Sequence, residues 1–242
     1  ALSPEDREAQ LRELNPEAIE KMHEKKERIH ELPALPDAEG GVVMRFAPNP
    51  SGPLHLGHAR ASVLNDYYVR KYGGKFYYRV EDTDPKRVDP EAYDMVSEDL
   101  KWLGIGITDV IYQSDRFEIY YEHARELIKL GGAYMCDCDN AEFRDLKLKK
   151  QACPCRDLSV EENLKRFDDM LAGKYEEGQI TMRVKTDIAH PDPAVRDFAA
   201  MRVLKEPKHP RKPEIFVYPL MNFSVAADDH LLGMPHVIRG KD

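Results

Sequence analysis

Between residues 42 and 132, short apolar runs alternate three times with stretches of helical periodicity, and this alternation limits the fold more than any other feature of the chain. VVMRFA (42–47), KFYYRVED (75–82) and DVIYQSD (109–115) read as strands. HARASVLNDYYVRKYGG (58–74), PEAYDMVSEDLKWLG (90–104) and RFEIYYEHARELIKLGG (116–132) read as helices, each closing on glycine. Strands and helices in this order imply an α/β fold built on a parallel, doubly wound sheet, with ligands at the carboxyl ends of its strands.

Three further regions flank that core. Residues 1–41 form a helical N-terminal extension and linker: Ser3 and Pro4 make a helix start, Leu11, Leu14, Ala18 and Met22 recur at helical spacing, and LPALPDAEGG (32–41) breaks regular structure. The first part of the α/β domain occupies 42–132, and an inserted subdomain is expected over 133–213, with a helix near 161–171 and a strand QITMRVKTD (179–187). Residues 214–242 are expected to return to the first domain as an apolar strand, a helix and a last strand PHVIRG (235–240) that rejoins the parallel sheet.

The 36 basic and 44 acidic side chains leave a formal charge of −8, so net charge alone does not bring this chain to nucleic acid. No apolar run approaches the roughly 18 residues that span a bilayer, so no membrane partner is expected and the cytoplasm is the expected compartment.

The turn PNPSGPLHLGHA (48–59) joins the first strand to the first helix. Unpaired backbone N–H groups and the positive dipole end make such a helix start favourable for polyphosphate. Pro48 shapes the turn, Gly52 and Gly57 let backbone approach a ligand, and His55 and His58 lie one helical turn apart. Two imidazoles there can donate hydrogen bonds to phosphoryl oxygens as charge builds during attack at the α-phosphorus, which is electrostatic stabilisation and not nucleophilic work.

RFAPNPSGPLHLGHAR (45–60) resembles the HIGH signature of class I aminoacyl-tRNA synthetases, in the form seen in glutamyl and glutaminyl enzymes. YYRVEDTDP (77–85) and VYPLMNFSVAADDHLLGMPHVIRGKD (217–242) extend the likeness, which is nearest the archaeal/eukaryotic glutamyl-tRNA synthetases. It implies a Rossmann-like domain with an inserted subdomain that receives the acceptor end of tRNA. It also implies ATP with Mg2+, and glutamate and tRNA(Glu) as partners, with tRNA(Gln) left open. A KMSKS-type lysine loop belongs to this class and none is present by Asp242, so the chain is expected to be the N-terminal catalytic part of the enzyme.

Activating a free amino acid requires one group for its ammonium, another for its side chain, and fixed geometry at the attacking carboxylate. The resemblance assigns the ammonium to Glu81. An anionic side chain calls for an arginine fork, and Arg45 on the first strand and Arg239 in the last are the candidates. Arg239 favours glutamate over glutamine, because the glutaminyl branch is expected to lack arginine there. By resemblance Ala47 and Asn49 line the same turn and Tyr218 packs nearby. Met221 stands where bacterial members place a tyrosine, and a thioether cannot donate that hydrogen bond. Two other readings are a glutamyl transferase acting on a modified tRNA base and an HxGH-type nucleotidyltransferase, which has no need of Glu81 together with Arg239.

Cys136, Cys138, Cys153 and Cys155 form CDC and CPC pairs separated by fourteen residues. Four thiolates in two pairs can close a tetrahedral structural zinc site, with reduced buried thiols as the other reading. The basic stretches KEPKHPRKP (205–213) and LKLKK (146–150) read equally as phosphate contacts or solvated loops.

Overall fold

The computed structural model describes residues 3–16 and 31–240 and divides the chain into two compact units, Ala1–Asp37 and Ala38–Asp242. In the first, helix α1 (Pro4–Leu14) starts as expected: the Ser3 hydroxyl accepts from the Asp6 backbone N–H at 3.1 Å, with Pro4 in the first turn. Ala18 and Met22 lie outside the described residues.

The second unit begins with the anticipated alternation. Strand β1 (Val42–Phe46) leads through the turn to helix α2 (Leu56–Tyr72), followed by β2 (Gly74–Val80), α3 (Ala92–Trp102) and β3 (Asp109–Tyr112). The strands form a parallel sheet in the order β1-β2-β3, with Met44 opposite Phe76 and Arg45 opposite Tyr77. Phe46, Phe76, Tyr78, Val80, Val96 and Leu100 fill one core on this sheet.

A 3-10 turn (Gln113–Arg116) then starts α4 (Phe117–Lys129), and a second sheet comes after it. Its strands β4 (Ala133–Cys136), β5 (Thr181–Val184), β6 (Phe198–Val203) and β7 (Val217–Pro219) pair antiparallel in that order. Helix α5 (Asn140–Leu148) and helix α6 (Val160–Leu171) lie between β4 and β5 in the chain. Phe117, Tyr120 and Ile128 of α4 share a core with Phe167 and Met170 of α6 and with Met135, Met182 and Met201 of the sheet. Helix α7 (Met221–Leu231) closes the unit.

Two sequence expectations are corrected. The apolar run before α7 does not rejoin the parallel sheet: β7 pairs with β6, with Met201 opposite Pro219 and Val203 opposite Val217. As an edge strand it tolerates Pro219, which has no N–H to give a ladder, and pairing with the preceding strand avoids a long crossover. The segment 235–240 forms no strand. It is held to α2 through a side chain, Asn65 Nδ2 donating to the Ile238 carbonyl at 2.9 Å. Pro235 offers no ladder donor, and Val237 and Arg239 are exposed.

Phe76 is fully buried at the centre of the parallel-sheet core. Phe76→Ala is expected to lower the unfolding free energy by about 3–5 kcal/mol. Urea denaturation followed by circular dichroism checks this, and a loss below about 1 kcal/mol would place Phe76 outside the cooperative core.

Candidate functional site

Parallel pairing of β1 with β2 carries their carboxyl ends to the same edge, and hydrogen bonds fix the loops that leave the two strands there. The Glu81 N–H donates to the Pro48 carbonyl at 3.1 Å, and Asn49 Nδ2 donates to the Glu81 carbonyl at 2.8 Å. The Asp89 N–H reaches the Pro50 carbonyl at 2.8 Å, and the Leu54 N–H reaches Asp99 Oδ2 at 2.8 Å. Ala47 is half-buried at the start of this turn, and Asn49 Oδ1 is buried without a partner. Gly52 sits at φ +149°, a backbone conformation that side chains disfavour.

At the start of α2 the two histidines act on the backbone and on each other. His55 Nδ1 accepts from the Gly57 N–H at 3.1 Å, and His58 Nδ1 accepts from the His55 N–H at 3.3 Å. Their rings stack with centroids 3.8 Å apart. A Cβ on residue 57 would lie 2.9 Å from His55 Cε1, so glycine there makes room for the ring. With both Nδ1 atoms accepting, each neutral imidazole carries its proton on Nε2, leaving that N–H for an anion. Burial, and then the neighbouring His55, lower the pKa of His58, which favours this neutral donor form.

A charge network lies at the ends of the parallel strands. Arg45 is buried and grips Asp229 of α7 in a bidentate pair, Nε to Oδ1 at 2.7 Å and Nη2 to Oδ2 at 2.9 Å. Arg79, wholly buried on β2, donates from Nη1 to Asp229 Oδ1 at 2.6 Å and from Nη2 to Glu81 Oε1 at 3.0 Å. Burial raises the Glu81 pKa above the usual carboxylate value, and Arg79 only partly offsets this. Burial pushes Asp229 the same way, but its bonds to Arg45 and Arg79 outweigh that and hold it low. Arg45, Asp229, Met221 and Arg239 line one cleft of about 530 Å³, together with Thr186 and Phe198.

The sequence reading missed Arg79, Asp228, Asp229 and Asp82. An arginine within an apolar strand needs a buried counter-ion, and the acid pair in the helical stretch AADDH was the available signal. Asp82 is fully buried and takes the Ser114 N–H at 2.9 Å and the Tyr93 hydroxyl at 2.9 Å, while its carbonyl accepts from His209 Nε2 at 2.7 Å. Tyr218 belongs to the antiparallel-sheet core and not to the cleft wall. Its hydroxyl donates to the Ile215 carbonyl at 2.8 Å, burial pushes its pKa up to about 12, and its ring stacks on His209.

The basic stretch 205–213 is largely neutralised within the molecule: Lys205 pairs with Glu176, and Arg211 and Lys212 pair with Asp115. Arg211 also stacks on Tyr112 at 3.8 Å. In the stretch 146–150, Lys149 pairs with Asp145 at 2.7 Å.

All four cysteine sulfurs lie within 4.8 Å of one another, with Cys136 and Cys153 3.8 Å apart and Cys138 and Cys155 3.5 Å apart. Ligands at about 2.3 Å from a tetrahedral zinc stand about 3.8 Å from each other, so the cluster fits that ion and leaves no open position. Phe143 and the Arg183 guanidinium, 3.4 Å over its ring, cover the cluster. Burial pushes the Cys155 thiol up to about 12, while Cys153 is held below the usual thiol range by its contact with Cys136. Among the described residues, no helix is long and apolar enough to cross a membrane.

A family model described as tRNA synthetases class I (E and Q), catalytic domain, matches residues 41–242. A glutamate–tRNA ligase of Methanocorpusculum labreanum is 84% identical over 242 residues, covering 100% of this chain and 43% of that protein. Glutamate–tRNA ligases of Methanoculleus marisnigri and Methanocaldococcus jannaschii are 64% and 57% identical, again over 100% of this chain and over 43% and 42% of their own lengths. This chain therefore spans less than half the length of these curated relatives. A crystal structure of a glutamate tRNA ligase from Elizabethkingia meningosepticum, in complex with its amino acid, matches with a TM-score of 0.58 at 23% identity. It covers 83% of this chain and 44% of that one, a likeness of fold.

Proposed function

This chain belongs to the family of class I tRNA synthetase catalytic domains for glutamate and glutamine, and from that premise we propose that it is the catalytic part of a glutamate–tRNA ligase. The observation that carries the choice of glutamate is the cleft in which Arg45 and Arg239 meet, with Glu81 linked to Arg45 through Arg79 and Asp229. The names of the relatives support the same reading.

In this reading ATP, accompanied by Mg2+, lies along the turn of Pro48, Gly52 and Gly57. His55 and His58 donate their Nε2 protons to phosphoryl oxygens as a glutamate carboxylate oxygen attacks the α-phosphorus and pyrophosphate leaves. Removing either imidazole would cost about 10² to 10³ in rate, by analogy with a lost oxyanion donor. Arg45 and Arg239 hold the side-chain carboxylate. Glu81 takes the ammonium and must be ionised to do so, and its raised pKa means that this grip fails as pH falls through a value above the ordinary carboxylate range. The 3′-terminal ribose of tRNA(Glu) then takes the glutamyl group and AMP leaves. A neutral glutamine side chain would give the free edge of Arg45 and the Arg239 guanidinium no anionic partner, which is the basis for rejecting it.

The test is ATP–pyrophosphate exchange by the full protein with tRNA present. Exchange is expected with glutamate and not with glutamine; exchange driven by glutamine or by a phosphorylated alcohol would overturn the assignment. Transfer of glutamate to an anticodon base in place of the 3′ end would do the same.

Cys136, Cys138, Cys153 and Cys155 would hold one structural zinc, whose bonds tie the start of α5 to the 3-10 turn Pro154–Asp157. Metal analysis is expected to find one zinc per chain, released by chelation with loss of local order. Carefully prepared protein without zinc would contradict this.

A further inference from the structure

Asp228 and Asp229 are neighbours on α7 with opposite surroundings. Asp228 is fully buried and its oxygens are already taken, by Arg116 Nε at 2.7 Å, Gln113 Nε2 at 2.9 Å and the Tyr120 hydroxyl at 2.7 Å. Asp229 keeps 21% of its side chain exposed and faces the cleft. Helix geometry sends adjacent side chains about 100° apart, so one carboxylate anchors the helix while the other reaches the cleft.

Asp229 holds only one edge of Arg45. A guanidinium has five N–H groups, and the bonds from Nε and Nη2 occupy one on each nitrogen, which leaves the Nη1 pair and one Nη2 proton for a ligand. The same carboxylate fixes Nη1 of Arg79, whose Nη2 holds Glu81. A single side chain from α7 thus ties the arginine suited to an anionic side chain to the carboxylate suited to an ammonium. Four guanidinium groups (Arg45, Arg79, Arg116, Arg239) stand against three carboxylates (Asp228, Asp229, Glu81), leaving one formal positive charge among these described residues. A zwitterionic amino acid with one further carboxylate matches that excess.

Resting on the glutamate reading above, we propose that Asp229 is the positioning residue that sets the spacing between Arg45 and Glu81, and with it the fit of the cleft to an amino acid whose side chain ends in a carboxylate. It acts through the two arginines and touches no reacting atom. Without its charge, Arg79 turns wholly to Glu81 and competes with the substrate ammonium, while Arg45 loses its orientation.

The experiment is the same exchange assay on the full protein, with KM measured separately for glutamate and for ATP. Asp229→Asn is expected to raise the glutamate KM about tenfold or more, the range for losing a charge-assisted hydrogen bond, with the ATP KM within about twofold of wild type. Asp229→Glu keeps the charge and alters the reach, and is expected to raise the glutamate KM several-fold with the ATP KM again unchanged; it also serves if the asparagine variant does not fold. Wild-type behaviour of Asp229→Glu would show that charge alone matters and overturn the positioning role. An unchanged glutamate KM in Asp229→Asn, or equal rises in both KM values, would overturn it too. These outcomes leave glutamate exchange by the wild type standing, whereas a wild type inactive with glutamate removes both readings.

Discussion

The structure depends on neutralising two arginines that β1 and β2 carry into the interior. Arg45 and Arg79 sit at 6% and 0% exposure, where an unpaired guanidinium would cost several kcal/mol. Their counter-ion, Asp229, comes from a helix 184 residues further along than Arg45. The chain must therefore build the antiparallel sheet and return before its parallel sheet is electrically complete. Asp228 next to it, saturated by Arg116, Gln113 and Tyr120, fixes α7 against α4 and the 3-10 turn before it, so the counter-ion is delivered by a helix that cannot shift easily. Fold and site are joined through this one acid pair.

The nucleotide side is built by more local means. The helix start at α2 leaves backbone N–H groups to satisfy, and His55 and His58 satisfy two of them with Nδ1. The same bonds settle the neutral tautomer and leave both Nε2 protons for a ligand. The rings stack at 3.8 Å, and burial together with the neighbouring His55 lowers the pKa of His58. Neutral imidazoles are suited to following charge that develops on an oxygen, because they add a dipole without fixing an ion pair in the ground state.

The features legible in the sequence were local ones. The alternation of periods gave the parallel sheet, the spacing of HLGH gave the helix start, and the two cysteine pairs gave sulfurs that meet within 4.8 Å. Arg45 was identifiable as an arginine in an apolar strand, but its partner was not, because no periodicity reports a pairing across so much chain. Asp82 was hidden for a related reason: RVED holds two acids, and only the fold shows that Glu81 faces Arg79 while Asp82 binds Ser114, Tyr93 and His209. Strand β7 and the segment 235–240 were misplaced because a short apolar run does not specify which sheet edge it joins. Tyr218 went with β7 into the other core.

In the proposed reading a single charge network of Arg45, Asp229, Arg79 and Glu81 orders both ends of an amino acid. A crystal structure with a non-hydrolysable glutamyl-adenylate analogue tests it most directly. The side-chain carboxylate is expected on the free edge of Arg45 and on Arg239, the ammonium on Glu81, and the phosphate surrogate within hydrogen-bond distance of His55 and His58 Nε2, with Asp229 still holding Arg45. A side-chain carboxylate remote from both arginines, or an ammonium held away from Glu81, would contradict it.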